Sequence, residues 1–174
     1  MTKRILATVL IATVLFQPVS AITKGDGGQI ITRYLKVNSP VKKLIVYGDA
    51  DIIFVKNDAA QVSIQGKTEA VNKVRMYNVD GLMEIHSGKF YRGKKPVIRI
   101  PVEQLEFLEV HGDGDVSSEA VLKAKELNVF VAGHCEISIR TLGKVNFDSS
   151  PDIFINYKKQ QTIVFLNSDL LDKL

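Results

Sequence analysis

The sequence contains one cysteine and no tryptophan, and its acidic and basic residues nearly balance. A single cysteine, Cys135, cannot form an intramolecular disulfide, so packing must hold the fold together. We expect Cys135 to be a small, half-buried turn residue, with intermolecular pairing as the alternative. A nucleic-acid interface requires clustered positive charge, and a formal net charge of +4 over 174 residues disfavours one.

Long apolar runs are also missing, apart from one close to the N-terminus. Two basic residues precede a largely apolar run over residues 5–16, and Pro18 follows it. A permanent transmembrane helix needs about 20 apolar residues, whereas this arrangement is typical of a cleaved secretory signal peptide. We therefore predict a signal peptide over residues 1–21 and no stable membrane span after its cleavage. The protein is then exported to the periplasm, the outer surface or the exterior, with a net charge of +2 once the two basic residues are removed.

A short pattern recurs along the rest of the chain: an apolar residue, a small residue two positions later, and an acidic residue three positions after that. Recurrence of one unit is typical of a repeat architecture. The small residue is expected where the chain turns tightly and no Cβ fits. The acidic residue can accept hydrogen bonds from N–H groups of the turn. The predicted structural turn positions are Gly48 and Asp51, Gly112 and Asp115, Gly133 and Glu136, and Ser149 and Asp152.

Short β-rich segments flank each copy of the pattern, which predicts an all-β chain. Strands of about five residues joined by such turns form one coil of a β-solenoid. Stacked coils bury an apolar face that no single coil could bury alone. We predict a single-stranded β-helix in which Val110, Val131 and Phe147 occupy equivalent, stacked positions.

The N-terminal half is predicted to contain antiparallel hairpins as well. Asp80-Gly81 separates two alternating segments, and this dipeptide is the strongest short hairpin signal. A second pairing is expected across the basic loop of residues 89–95 to the strand ending at Pro101. At the other end, Asn167 begins what we interpret as a degraded copy of the corner, followed by a short terminal cap.

The order of these parts resembles a known family. A strand-turn-strand at residues 44–55 is followed by Val62-x-Ile64, the Asp80-Gly81 hairpin and an Ile-Pro pair. Next comes Leu105-x-x-Leu108-x-Val110-x-Gly112-x-Gly114-x-Val116. Over residues 41–166 the chain resembles the head domain of the "putative auto-transporter adhesins", also called the GIN domain. The resemblance implies a right-handed β-helix, export, and an adhesive role without a catalytic site. The domains are then a signal peptide (1–21), a leader with the first strand (22–40) and a GIN-type domain (41–174).

Metal binding and catalysis are the alternatives to plain turn chemistry at these corners. The Gly-Asp turns could supply hard oxygen ligands to calcium, and His111, His134 and Cys135 could hold a soft metal with Asp113. The later copies do not keep their carboxylates at matching positions, as a row of calcium ions would require. His111 precedes its corner glycine whereas His134 follows its own, so the two histidines need not converge. No nucleophile elbow, phosphate loop or zinc-protease motif occurs. We predict no metal, no cofactor and no catalytic residue.

The resulting hypothesis is an exported, non-catalytic β-solenoid that binds a surface, glycan or protein through its flat flank. Outward side chains expected to make contacts are Phe107, Phe130 and Tyr157, with the basic loop of residues 89–95. One alternative is a structural or assembly component of the bacterial cell envelope, acting as a homo-oligomer. A carbohydrate-active enzyme is the other alternative, and it would need a groove with converging carboxylates.

Overall fold

The computed structural model describes residues 28–56, 60–90, 95–160 and 163–170, so the predicted signal peptide and terminal cap lie outside them. These residues form strands and one short helix, which confirms the all-β class. The strands are β1 (Ile30–Lys36), β2 (Lys43–Tyr47), β3 (Asp51–Val55), β4 (Gln61–Lys67), β5 (Arg75–Val79), β6 (Leu82–His86), β7 (Val97–Pro101), β8 (Phe107–His111), β9 (Val116–Leu122), β10 (Glu126–Val131), β11 (Glu136–Thr141), β12 (Lys144–Ser149), β13 (Ile153–Gln160) and β14 (Ile163–Leu170); the helix is α1 (Thr68–Lys73).

The strands form two mixed sheets. The six-stranded sheet has the order β12-β10-β8-β2-β6-β5, and the eight-stranded sheet has the order β1-β4-β7-β3-β9-β11-β14-β13. Neither sheet closes into a barrel within the described residues. A corner carries the chain from one sheet to the other between β2 and β3, and again between β8 and β9 and between β10 and β11. Corresponding strands of these repeats pair in parallel.

The stacking order differs from the chain order. Strand β2 lies between β6 and β8, and β3 lies between β7 and β9. A solenoid that advances in one direction would instead place β6 between β2 and β8. On the same side of the first repeat, β4 pairs antiparallel with β7, and β5 pairs antiparallel with β6. The first repeat, formed by β2 and β3, therefore lies in the middle of the stack, with later repeats on both sides.

The predicted Asp80-Gly81 hairpin is confirmed. It joins β5 to β6, and Asp80 and Gly81 have φ values of 49° and 82°, as this turn type requires. The predicted pairing across residues 89–95 is wrong, because β6 and β7 lie in different sheets. Instead, the chain after β6 is a further corner: Ser87 N–H donates to Tyr47 C=O at 2.8 Å.

Antiparallel pairing also occurs at the C-terminal end, where it was not predicted. Strand β14 pairs antiparallel with both β11 and β13. Asn167 lies within β14, so the predicted degraded corner there is wrong. Asn167 has strand partners on both sides, and residues 168–170 continue the antiparallel pairing with β13.

One hydrophobic core contains inward side chains from both sheets. Val110 pairs with Val131, and both are buried, as predicted. Phe147 pairs with Val129 rather than Val131, and it is only partly buried. Strand β12 is therefore shifted by two residues relative to the predicted alignment. A tight turn ending at Gly143 places Lys144 opposite Glu126.

Helix α1 packs against β4 and β1 through Ala70 and Val71. On its exposed side, Lys73 donates to the Glu69 carboxylate at 2.7 Å. That hydrogen bond, together with the positive charge of Lys73, lowers the pKa of Glu69. The helix lies at the end of the stack away from β8–β12, so it takes no part in the surface described next.

Stacked corners and a candidate binding face

The small residues of the corners are required by contact between neighbouring repeats. A Cβ on Gly112 would overlap the carbonyl oxygen of Gly48, and a Cβ on Gly133 would overlap that of Gly112. Gly48 also has a φ of 87°, which side chains rarely adopt. Ser149, in contrast, ends β12 opposite Val131, so it is not stacked on Gly133.

The predicted acidic positions fall at the beginnings of strands. Asp51 and Glu136 begin β3 and β11, Asp115 directly precedes β9, and Asp152 lies in the turn before β13. One of the expected hydrogen bonds joins neighbouring repeats: Asp115 N–H donates to Asp51 Oδ1 at 3.2 Å.

A second acidic position, directly after the corner glycine, also accepts hydrogen bonds from neighbouring segments, and the sequence pattern did not predict this role. Asp49 Oδ1 accepts from Asp113 N–H, and Asp113 Oδ1 accepts from His134 N–H, each at 3.3 Å. Asp49 Oδ2 also accepts from Phe90 N–H at 2.7 Å. The sequence feature that indicates this role is the Gly-Asp dipeptide at residues 48–49 and 112–113, where an aspartate directly follows the small residue.

We expect Asp49→Ala to lower the free energy of unfolding by about 1–2 kcal/mol, because it leaves two backbone donors without their acceptor. Asp49 is only 8% exposed, which limits replacement by water. Equilibrium urea denaturation measures the change. Asp152→Ala, at an exposed turn position, is the matched control and should change stability by less than about 0.5 kcal/mol. Equal losses in the two variants would contradict the role given to Asp49.

The carboxylates of Asp49, Asp51 and Asp113 accept hydrogen bonds from backbone N–H groups, as the turn interpretation expects. No group of three or more His, Cys, Asp or Glu side chains within the described ranges is placed to hold a metal ion. His111 Nε2 contacts Glu109 Oε1 instead. Cys135 is a buried thiol, 4% exposed, rather than the half-buried residue we expected.

The outward face of the six-stranded sheet carries a row of stacked rings. The Tyr47 ring lies between the rings of His86 and His111, at centroid distances of 4.8 and 4.9 Å. This stacking follows from the register, which places Tyr47 opposite both histidines. The Phe130 ring continues the row at 5.9 Å from His111.

Beyond Phe130 the same face forms an open groove of about 510 Å³ across β8, β10 and β12. Its outward residues form two rows that run across the three strands. One row contains Phe107, Asn128 and Asn146; the other contains Glu109, Phe130 and Asp148. The lining thus combines aromatic rings with amide and carboxylate groups, as ligand-binding clefts commonly do. We call this feature the β8–β12 groove.

Two of the predicted contact residues, Phe107 and Phe130, line this groove. The Tyr157 side chain lies outside the part of the chain that the structure describes, as do Arg92 and Lys94 of the basic loop. Lys89 and Lys95 line a different concavity, over the corners formed by Gly48 and Gly112. Among the predicted contacts that the structure describes, the basic pair Lys89 and Lys95 and the aromatic pair Phe107 and Phe130 therefore line different concavities.

Residues 41–152 match the family model described as "Putative auto-transporter adhesin, head GIN domain" (DUF2807). The match covers more than half of the chain, so the protein belongs to this family, as the resemblance indicated. No curated protein matches the sequence.

Solved structures share the fold at low sequence identity. A putative adhesin from Parabacteroides merdae superposes with a TM-score of 0.57 at 15% identity, over 75% of this chain and 56% of that one. A second putative adhesin, from Bacteroides fragilis, gives 0.52 at 19% identity, over 70% and 62%. The chain thus spans less than two thirds of the length of these relatives.

The family assignment is consistent with a surface or exported protein. Among the described residues, no helix has the length and apolar character needed to span a bilayer.

Proposed function

We propose that this protein is an exported, non-catalytic, adhesin-like domain that binds its target through the β8–β12 groove. The observation that carries the proposal is the set of outward-facing, half-buried or exposed aromatic, amide and carboxylate side chains lining that groove. Family membership supports an adhesive rather than an enzymatic role. Export is tested by fractionating cells and sequencing the mature N-terminus, which we expect at Ile22.

Phe130 is the central residue of the proposed contact surface. It lies on the middle strand of the three, between Glu109 and Asp148 in register. Aromatic residues at the centre of a contact surface commonly contribute most of the binding energy. An apolar patch with a polar rim on a protein surface is also typical of an interaction site.

We expect Phe130→Ala to weaken binding to immobilised envelope extract and arrayed glycans by about tenfold or more. Phe165→Ala is the matched control, because Phe165 is 39% exposed on the other sheet. It should leave binding unchanged. Equal binding by the wild type and both variants would contradict the groove as the contact surface, and an absence of binding by the wild type would contradict the binding role itself.

We further propose that the repeats from β8 to β12 wind as a right-handed solenoid. Strands β8 and β10 are parallel neighbours in one sheet, and the chain between them crosses to the other sheet through β9. Connections of this kind between parallel strands of one sheet are right-handed in about 98% of cases. A crystal structure tests the hand directly.

The alternative function, assembly into an envelope structure, is favoured by the edge strand β1. Its exposed residues include Ile30 and Tyr34, at 62% and 65%, and the unpaired backbone groups of an edge strand are a site at which a second chain can pair. Light scattering over a range of concentrations tests this alternative. A monomer at every concentration would contradict it.

A further inference from the structure

The charge of the β8–β12 groove limits the chemistry of its ligand. Glu109 and Asp148 line it, and its described lining contains no lysine or arginine. A nearby cation, Lys43, has its Nζ 4.5 Å from the centroid of the Phe107 ring. An anionic ligand, such as a phosphate headgroup or an acidic glycan, would meet the two carboxylates of the lining, whereas the Lys43 ammonium lies on the neighbouring strand β2, over the Phe107 ring.

The two carboxylates are already held by donors of the protein. Glu109 is contacted by His111 Nε2, and Asp148 Oδ1 accepts from Ser149 N–H at 2.8 Å. An ionised carboxylate has about four acceptor positions, so each retains capacity for further donors. These contacts fix the orientation of both carboxylates. Each carboxylate can therefore accept an O–H donor of an uncharged ligand without losing the contact that orients it.

The amide groups of the groove provide the complementary donors and acceptors. Asn146 Nδ2 donates to Asn128 Oδ1 at 2.9 Å and to Glu126 Oε1 at 2.5 Å, which uses both of its N–H donors and orients the Asn146 and Asn128 amides. The groups that the amides offer a ligand are then the N–H donors of Asn128 and the acceptor oxygen of Asn146. A hydroxyl group, which both donates and accepts, can be matched by this mixture of amide and carboxylate.

The aromatic residues provide apolar surface between these polar groups. Phe107 and Phe130 are half-buried, and each lies opposite a polar residue on the adjacent strand. The ligand that fits such an alternation has an apolar C–H face and a rim of hydroxyl groups. A pyranose ring has both, and the groove volume of about 510 Å³ lies within the range of small-ligand clefts.

We propose that the β8–β12 groove binds a neutral sugar, with one pyranose ring packed on Phe130 and its hydroxyl groups hydrogen-bonded to Asp148 and Asn128. This inference rests on the proposed binding function and adds the class of ligand. Phe130 provides the apolar contact, and the two polar residues select for hydroxyl groups.

The experiment applies the full chain to an array of neutral and acidic oligosaccharides. The neutral set ends in glucose, galactose, mannose or N-acetylglucosamine, and the acidic set is sialylated, sulfated or contains uronic acids. Phe130→Ala and Asp148→Asn are compared with the control Phe165→Ala, and thermal unfolding confirms that each variant is folded. Titration with the corresponding free sugar measures affinity in solution.

We expect binding to one or more neutral glycans that weakens by about tenfold in Phe130→Ala, weakens in Asp148→Asn, and is unchanged in Phe165→Ala. Binding confined to acidic glycans would overturn the inference, as would neutral binding that both groove variants retain. An empty array combined with Phe130-dependent capture of an envelope protein would overturn the sugar assignment alone. An empty array combined with no capture would overturn the proposed function as well.

Discussion

Gly112→Ala is expected to lower the free energy of unfolding by about 2–4 kcal/mol, more than typical surface substitutions. The added Cβ would overlap the carbonyl carbon and oxygen of Gly48. Both are backbone atoms, so relief requires the two repeats to separate rather than a side chain to move. Overpacking that displaces backbone typically costs about 1–3 kcal/mol, sometimes more. Equilibrium urea denaturation, with the midpoint and slope both reported, gives the change.

Gly66→Ala is the matched control because it makes the same chemical change where there is room. The nearest atom to a Cβ at Gly66 is Pro96 Cα at 3.4 Å, an ordinary contact. We expect its stability to stay within about 0.5 kcal/mol of the wild type. Similar losses at the two positions would mean that the cost of Gly112→Ala is a general property of glycine in this chain, and would contradict the close stacking of the corners.

Phe54→Ala is expected to lower the free energy of unfolding by about 3–5 kcal/mol, the usual cost of truncating a buried phenylalanine. Phe54 is 0% exposed on β3, the central strand of the repeats, and it is among the largest fully buried side chains of the described residues. Its removal combines lost apolar burial with a cavity between the two sheets. The same denaturation experiment measures the loss.

The control for this substitution is Phe165→Ala, on the outward face of β14 in the same sheet. We expect it to cost less than about 1 kcal/mol, because much of that ring already contacts water. If the exposed and buried variants were equally destabilised, Phe54 could not lie in the core between the sheets.

The sequence alone was sufficient to predict the features that depend on short-range pattern. Gly48, Gly112 and Gly133 were placed at corners because a residue without a Cβ recurs at one position of a repeated unit. The Asp80-Gly81 hairpin was predicted because two consecutive residues with positive φ define that turn. Both inferences use only the conformational preferences of a few neighbouring residues.

Features set by pairing between distant residues could not be predicted in this way. The placement of β2 between β6 and β8 depends on pairing with strands that are distant along the chain, and no local signal specifies those partners. The offset of β12 was missed because the pattern at Ser149 imitates the earlier corners. A two-residue shift preserves the alternation of inward and outward side chains, so periodicity cannot detect it.

The candidate site likewise combines features that local pattern predicts with features that depend on pairing between distant strands. Phe107 and Phe130 were predicted as outward residues from alternation along their own strands. Their assembly with Asn128, Asn146 and Asp148 into one groove depends on the register of three strands. The role of Asp49 was missed because its hydrogen-bond partners, Phe90 and Asp113, are 41 and 64 residues away.

The central claim is that the first repeat lies in the middle of the stack, with the others on both sides. Nuclear Overhauser contacts among the rings of Tyr47, His86 and His111 test it most directly. We predict contacts from Tyr47 to both histidines, whose centroids lie 4.8 and 4.9 Å away. Contacts from His86 to both Tyr47 and His111, with none between Tyr47 and His111, would show stacking in chain order and contradict the account.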